Sequence, residues 1–172
     1  RSNTTSTQNP ENPENPHNPH KPHNPHKPHK FVAAKYSFQE VEKDIKNNYS
    51  LTVASTSSIE SHLYQGILST INTLDGTAAM VINGSVTGGT EGIDVTNVAN
   101  DFSLTVGDEG SITGTTDGVK ITNQGSGATT LAISGYITGG TGSAINAYEG
   151  SAGMDITIQA GSAVKGNKAI ST

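Results

Sequence analysis

From residue 80 onward, the chain repeats one pattern of apolar and polar positions. Each copy contains two apolar residues separated by a polar one, a turn with glycine, a lone apolar residue, a second turn and a final apolar residue. The copy MVINGSVTGGTEGIDV is followed by LTVGDEGSITGTTDGVKI, then by LAISGYITGGTGSAINA and ITIQAGSAVKGNKAI. Because apolar and polar residues alternate around each apolar position, the pattern predicts short β-strands with one buried face.

Three series of apolar residues recur through these copies at steps of 24 to 27 residues. The series are Met80, Leu104, Leu131 and Ile156; Val86, Ile112, Ile137 and Val164; and Ile93, Val119, Ile145 and Ile170. A looser earlier copy contributes Leu51, Ile59 and Ile67, and its wider steps predict a longer turn near residues 71–78. A constant period with three apolar positions indicates a solenoid in which each coil adds one strand to each of three faces.

The residues between the apolar positions are mainly Gly, Asn, Asp, Ser and Thr, which favour sharp turns. Stacked coils would pair each strand in parallel with its copy one coil later, about 4.8 Å along the axis. The sequence therefore predicts an all-β fold, a right-handed parallel β-helix of about five coils over residues 50–172. Leucine-rich repeats share the period but need a Leu and Asn framework that the chain lacks, and a β-sandwich would leave the three series unexplained.

Residues 31–49 precede the coils as a cap segment and include an amphipathic stretch, residues 36–48. Ser37 and Glu40 have the spacing of a helix capping box, and one helical face would carry Phe38, Val41 and Ile45. We expect a short cap helix that covers the open strand edge of the first coil, with an additional N-terminal strand as the alternative. The opposite end shows no covering segment, which predicts a fragment of a longer rod that can associate with itself through coil ends.

Residues 1–30 contain all seven prolines, one at every third position from Pro10 to Pro28, and a histidine directly follows five of them. This spacing suits polyproline II, which places neighbouring histidines about 9 Å apart, too far for a straight rod to hold one zinc ion between them. The favoured interpretation is a stiff, disordered spacer. Loose metal chelation by a bent tail and a pH-dependent surface contact are the alternatives.

Composition excludes several classes of protein. The chain has no Cys, so a core held by disulfides is excluded, and no apolar run is long enough to span a membrane. Residues 31–172 contain six basic and thirteen acidic residues, a net charge of −7. Nucleic acids and anionic lipids are therefore poor partners for this part of the chain. We expect no resident cofactor or metal ion and no membrane insertion.

Two acidic residues occupy matching positions in consecutive copies, Glu91 in TEGIDV and Asp117 in TDGVKI. Paired carboxylates can carry out acid–base chemistry or bind calcium, as in carbohydrate-active β-helix enzymes. The next two copies have Ser143 and Lys168 at this position, however, and residues 31–172 contain no arginine. Solvated residues at a corner of the coil are therefore the favoured interpretation.

Two further matches involve polar residues. Asp94 lies one period before Lys120, which predicts a surface ion pair of small energetic weight. Asn97 lies one period before Asn123, which predicts a short ladder of amide side chains at a corner. We call Glu91, Asp94, Asp117 and Lys120 together the corner row. It is the candidate contact surface for a partner, and a strand face is the alternative.

The phrases GSVTGGTEGIDVTN, GSITGTTDGVKITNQGSGA and GYITGGTGSAINA resemble the passenger domains of bacterial autotransporters, which are secreted right-handed β-helices. The low-complexity N-terminus followed by these coils is similar to the Bartonella angiogenic factor group, whose members act as secreted ligands of an endothelial growth-factor receptor. The resemblance covers about residues 50–172 and identifies no individual functional residue.

The resemblance implies an extracellular location, either secreted or on the bacterial cell surface. It also implies a non-catalytic, proangiogenic ligand that binds a host-cell surface receptor. An adhesin or self-associating surface rod is the first alternative. A carbohydrate-active enzyme that uses Glu91 and Asp117 is the second.

Overall fold

The computed structural model describes residues 38–41, 48–71, 76–97, 100–149 and 152–172. These residues form sixteen β-strands and no helix. The strands are β1 (Phe38–Val41), β2 (Tyr49–Val53), β3 (Ser58–Glu60), β4 (Ile67–Ile71), β5 (Ala78–Ile82), β6 (Ser85–Gly88), β7 (Ile93–Asn97), β8 (Phe102–Val106), β9 (Ser111–Gly114), β10 (Val119–Asn123), β11 (Thr129–Ile133), β12 (Tyr136–Gly139), β13 (Ser143–Glu149), β14 (Met154–Ile158), β15 (Ala163–Lys165) and β16 (Lys168–Ser171). The proline-rich and histidine-rich tail predicted for residues 1–30 lies outside the described residues.

The strands form three parallel sheets, and every third strand joins the same sheet. The first sheet has the order β2-β5-β8-β11-β14, the second β3-β6-β9-β12-β15, and the third β1-β4-β7-β10-β13-β16. Each coil therefore contributes one strand to each sheet. The first of the five coils consists of β2–β4, and the fifth consists of β14–β16. The predicted parallel β-helix is confirmed.

The pairing register matches the three predicted series position by position. Met80 pairs with Leu51 on one side and with Leu104 on the other. In the second sheet Ile112 pairs with both Val86 and Ile137. The third sheet repeats this arrangement with Ile93, Val119, Ile145 and Ile170. The connection from β4, which ends at Ile71, to β5, which begins at Ala78, spans more residues than the corresponding connections of the later coils.

The core is a continuous stack of side chains along the axis of the rod. Strand β10 shows the underlying pattern, in which Val119, Ile121 and Asn123 are buried while Lys120 and Thr122 between them are partly exposed. Burial of one large aliphatic side chain contributes about 1.5–3 kcal/mol of hydrophobic free energy, so the repeated stack is the main source of stability.

The predicted cap helix over residues 36–48 is wrong where the structure describes this segment. Phe38–Val41 is strand β1, which pairs in parallel with β4 and aligns Phe38 with Ile67. Strand β1 corresponds to the additional N-terminal strand that is the alternative to the cap helix. Pairing satisfies backbone groups along the open edge of β4, and this gain outweighs a weak local preference for a helix. Residues 42–47 lie outside the described residues.

The fifth coil is the least covered part of the rod. Its inward-facing residues Met154, Ile156 and Val164 are only partly buried, whereas their partners one coil earlier are fully buried. Within the described ranges, no strand pairs with the outer edges of β14, β15 and β16. Apolar side chains and backbone groups are therefore exposed together at this end.

Candidate functional site

The corner row lies where the chain leaves the second sheet and enters the third. Glu91 follows β6, and Asp117 follows β9 at the same point of the next coil. Asp94 and Lys120 lie a few residues further on, paired in register on β7 and β10. The topology therefore brings all four residues of the corner row to one side of the rod.

Glycine sets the shape of this corner. A Cβ atom at Gly88 would overlap the carbonyl oxygen of Glu91, and one at Gly114 would overlap the carbonyl oxygen of Asp117. The backbone therefore folds back closely after each strand, which only glycine permits. This tight turn gives the two acidic residues equivalent positions in consecutive coils.

Asp94 and Lys120 form the ion pair that the sequence predicted. The Lys120 Nζ atom donates a hydrogen bond to Asp94 Oδ2 at 3.1 Å, with the carboxylate largely buried and the lysine partly exposed. The pKa of Lys120 is raised chiefly by this hydrogen bond, and burial partly opposes the effect. The charges of Glu91 and Asp117 raise the pKa of Lys120 further, so all three acids lie within its electrostatic reach.

Asp117 connects its own coil to the next one. Its Oδ1 atom accepts a hydrogen bond from the Ser143 backbone N–H at 2.6 Å, and its Oδ2 atom accepts one from Asn146 Nδ2 at 3.0 Å. Charge-assisted hydrogen bonds of this kind are about twice as strong as neutral ones. Both carboxylate oxygens are therefore engaged in holding the fourth coil against the third.

Glu91 makes a looser contact of the same type. Its Oε1 atom accepts a hydrogen bond from Thr116 Oγ1 at 3.2 Å, one coil further along. The sequence did not identify Thr116 or Asn146 as partners of these acids. Asn146 is in register with Lys120 one coil later, but its partner Asp117 lies at a different position of the repeat, so the register alone does not identify this contact.

The predicted amide ladder is confirmed and is longer than expected. Asn97 Nδ2 donates to Asn123 Oδ1 at 2.9 Å, and Asn123 Nδ2 donates to Glu149 Oε1 at 3.0 Å. Asn123 Nδ2 also contacts Thr129 Oγ1 at 3.0 Å. Both asparagines are fully buried. The ladder is thus an interior polar connection through three coils, and its role is structural.

A turn of the first coil projects from the same corner. Residues 61–66 connect β3 to β4, and Leu63 and Tyr64 within this turn are 75% and 62% exposed. The Gly66 N–H donates to the Glu91 carbonyl oxygen at 3.1 Å, which places the turn beside the corner row. Sequence reasoning missed these two residues, although no later coil has adjacent large apolar residues at this corner.

In the described part of the chain, no group of three or more His, Cys, Asp or Glu side chains is arranged to bind a metal ion. None of the described segments forms a helix that could cross a membrane.

Comparison of the chain with protein-family models, curated proteins and solved structures gives no match. The resemblance to autotransporter passengers therefore stays a prediction from the sequence.

Proposed function

We propose that the chain is a secreted bacterial passenger fragment that acts as a non-catalytic ligand of a host-cell surface receptor. The sequence resemblance points to an endothelial growth-factor receptor, through which such a ligand would be proangiogenic. The location expected for this function is extracellular.

One observation carries the proposal: the interior of the central coils is filled by side chains along its whole length. Val86, Ile112 and Ile137 stack in register with no exposed surface, and the other two inward-facing columns are packed in the same way. A partner can therefore reach only the outer faces, the corners and the ends of the coils. Recognition on such a rod is a property of its surface, as in other repeat proteins.

The corner row supports a binding role rather than a catalytic one. Asp117 uses both carboxylate oxygens to hold the next coil, and Asp94 is paired with Lys120. Acids engaged in this way shape and charge the surface. Release of reducing sugars from polysaccharides by the chain, with loss of this activity in Glu91→Gln, would contradict the non-catalytic assignment.

The direct test is to measure binding of the purified full chain to the ectodomain of an endothelial growth-factor receptor, together with receptor phosphorylation on endothelial cells. We expect saturable binding and phosphorylation with the wild-type chain. The Ile133→Asp variant, which places a charge in the buried core, should lose both. Absence of binding and of phosphorylation with the wild-type chain would refute the proposed receptor.

A self-associating surface rod is the second candidate, and the fifth coil, as this fragment exposes it, supplies the contact surface to test. Ile158 and Ile170 are exposed on strands whose outer edges have no partner among the described residues. Exposed strand edges with apolar side chains promote association between chains. Light scattering over a range of concentrations tests this candidate, because Ile158→Lys should then reduce the apparent mass. A monomer at all concentrations would exclude it.

A further inference from the structure

The turn at residues 61–66 exposes two large apolar side chains next to each other. Among the large apolar side chains in the described part of the chain, Leu63 is the most exposed and Tyr64 the third most exposed. Tyr136 and Tyr148 are also exposed but belong to strands of different sheets, and Ile158 and Ile170 belong to the open fifth coil. Adjacent exposed apolar residues lower the solubility of a protein, and exposed apolar patches commonly mark interaction sites.

Hydrogen bonds hold the backbone on both sides of Tyr64. The Tyr64 N–H donates to the Oγ atom of buried Ser61 at 3.2 Å. The Tyr64 carbonyl oxygen accepts hydrogen bonds from the N–H groups of Gly89 at 2.8 Å and Thr90 at 3.4 Å. The pair is therefore presented on an ordered backbone. Binding of a partner here loses less conformational entropy than binding to a flexible loop would, because the backbone is already fixed.

Glycine in the second coil allows this close approach. A Cβ atom at Gly89 would overlap the carbonyl group of His62, so the turn rests directly on the backbone of the next coil. The position of Leu63 and Tyr64 thus depends on the stacking of two coils. The first coil is the looser copy of the repeat, and at this turn it differs from the later copies by its two adjacent large apolar residues.

The surroundings of the turn are acidic. Glu60 lies at the end of β3, with His62 Nε2 at 3.5 Å from its Oε1 atom. The corner row continues from the turn along the axis and itself contains three acids and one base, Lys120. A partner with basic side chains would therefore be attracted to this corner, whereas anionic lipid or nucleic acid would be repelled.

We propose that Leu63, Tyr64 and the adjacent acidic corner row form a docking surface for a protein that presents an apolar pocket bordered by basic side chains. Tyrosine is enriched among residues that dominate binding energy, and such anchors are surrounded by polar contacts that exclude water. The inference rests on the proposed function for the class of partner, a protein on the host-cell surface. It adds the residues that make the contact.

The test uses the fluorescently labelled full chain and intact endothelial cells, with binding measured over a range of concentrations. The double variant Leu63→Ser, Tyr64→Ser should bind at least about tenfold more weakly, because loss of anchor residues commonly has effects of this size or larger. Tyr148→Ser is the matched control, since Tyr148 is 65% exposed on β13 of the fourth coil. It should bind as the wild type does. Circular dichroism and thermal unfolding verify that all variants are folded.

Charge is tested separately. Glu91→Gln keeps a side-chain oxygen for Thr116 but removes the charge, and should lower the association rate by about twofold to fivefold at low salt. Glu109→Gln is the control, because Glu109 is an exposed acid in the turn between β8 and β9, at a different corner of the rod. Its association rate should be unchanged. Equal effects of the two variants on the association rate would refute the role of the acidic corner row in attracting the partner.

Three outcomes overturn the docking surface as a whole. They are absence of saturable binding by the wild-type chain, equal binding by the double variant, and equal binding to protein-free vesicles that contain phosphatidylserine. A separate arm measures binding to the purified ectodomain of the endothelial growth-factor receptor. Cell binding that depends on Leu63 and Tyr64, without binding to this ectodomain, would refute the proposed receptor while supporting the docking surface.

Discussion

The fourth and fifth coils have the same alternation of residues, yet they differ sharply in burial. Ile133 and Ile158 are in register on β11 and β14, and they are 0% and 45% exposed. Ile145 and Ile170 are in register on β13 and β16 and differ in the same way. The residue types are identical, so the difference arises from the neighbour that covers the fourth coil and is not seen over the fifth.

This comparison shows where the stability of the rod resides. In a solenoid, each repeat contributes through its interfaces with the repeats on either side. A coil with one interface buries less apolar area and leaves one edge of each strand without a backbone partner. Apolar residues at the same position of the repeat therefore contribute unequally to the free energy of unfolding.

The largest expected effect is a difference between two matched alanine substitutions. Ile133→Ala should lower the free energy of unfolding by about 2–5 kcal/mol, because it leaves a cavity in a packed core. Ile158→Ala should lower it by less than about 1 kcal/mol, because much of that side chain is already in contact with water. Urea unfolding measured by circular dichroism compares the two. Equal losses would show that the fifth coil is covered in solution.

A smaller effect is expected for the polar connection between the central coils. Asn123→Ala removes hydrogen bonds to Asn97 and Glu149 in the buried ladder, and should cost about 1–3 kcal/mol. Gln124→Ala, at the exposed next position, is the control and should stay within about 0.5 kcal/mol of the wild type. If Asn123→Ala were as mild as its control, the ladder would contribute nothing to the packing of the coils.

The smallest effect concerns the ion pair on the outer face. The pKa of Lys120 is raised in the folded chain above the unfolded value of 10.5, so its stabilisation is complete below that pH. The stabilisation is lost as the pH rises through the higher folded pKa. Because Lys120 is partly exposed, the pair should contribute only about 0–1 kcal/mol.

The ion pair can be measured through the pH dependence of unfolding. Asp94→Asn should reduce the loss of stability on going from neutral pH to above 10.5, relative to the wild type. Asp155→Asn changes an exposed acid of the fifth coil and serves as the control. An identical pH profile for the wild type and Asp94→Asn would mean that the pair has no energetic weight.

The stacking of the coils could be predicted from the sequence because its cause is repeated along the chain. Each inward-facing position carries the same requirement for an apolar side chain of suitable volume, and three such positions recur in every coil. The pairs Asp94–Lys120 and Asn97–Asn123 followed from the same register. Any contact between residues at equal positions of the repeat is accessible to this reasoning.

Contacts that break the repeat could not be predicted. The apolar residues around Phe38–Val41 have helical spacing, but this segment forms a strand because its backbone groups pair with the open edge of β4. Asn146 donates a hydrogen bond to Asp117, which lies at a different position of the repeat. Leu63 and Tyr64 have no counterpart in any later coil.

The central claim is that residues about 25 apart in sequence lie directly above one another on a straight rod. Thr52, Thr105 and Thr157 are exposed on the first sheet, in the first, third and fifth coils, and they belong to one column of paired positions. The chain has no natural cysteine, so pairs of these positions can be spin-labelled cleanly after substitution by cysteine.

Electron paramagnetic resonance measures the distances between the labels of each pair and so tests this claim directly. The expected backbone separations are about 10 Å between positions 52 and 105, and about 19 Å between positions 52 and 157, from about 4.8 Å for each coil. We expect narrow distance distributions whose means differ by about 10 Å, because the few ångströms added by the labels are common to both pairs. A broad distribution, or a separation between 52 and 157 that does not exceed that between 52 and 105, would contradict it.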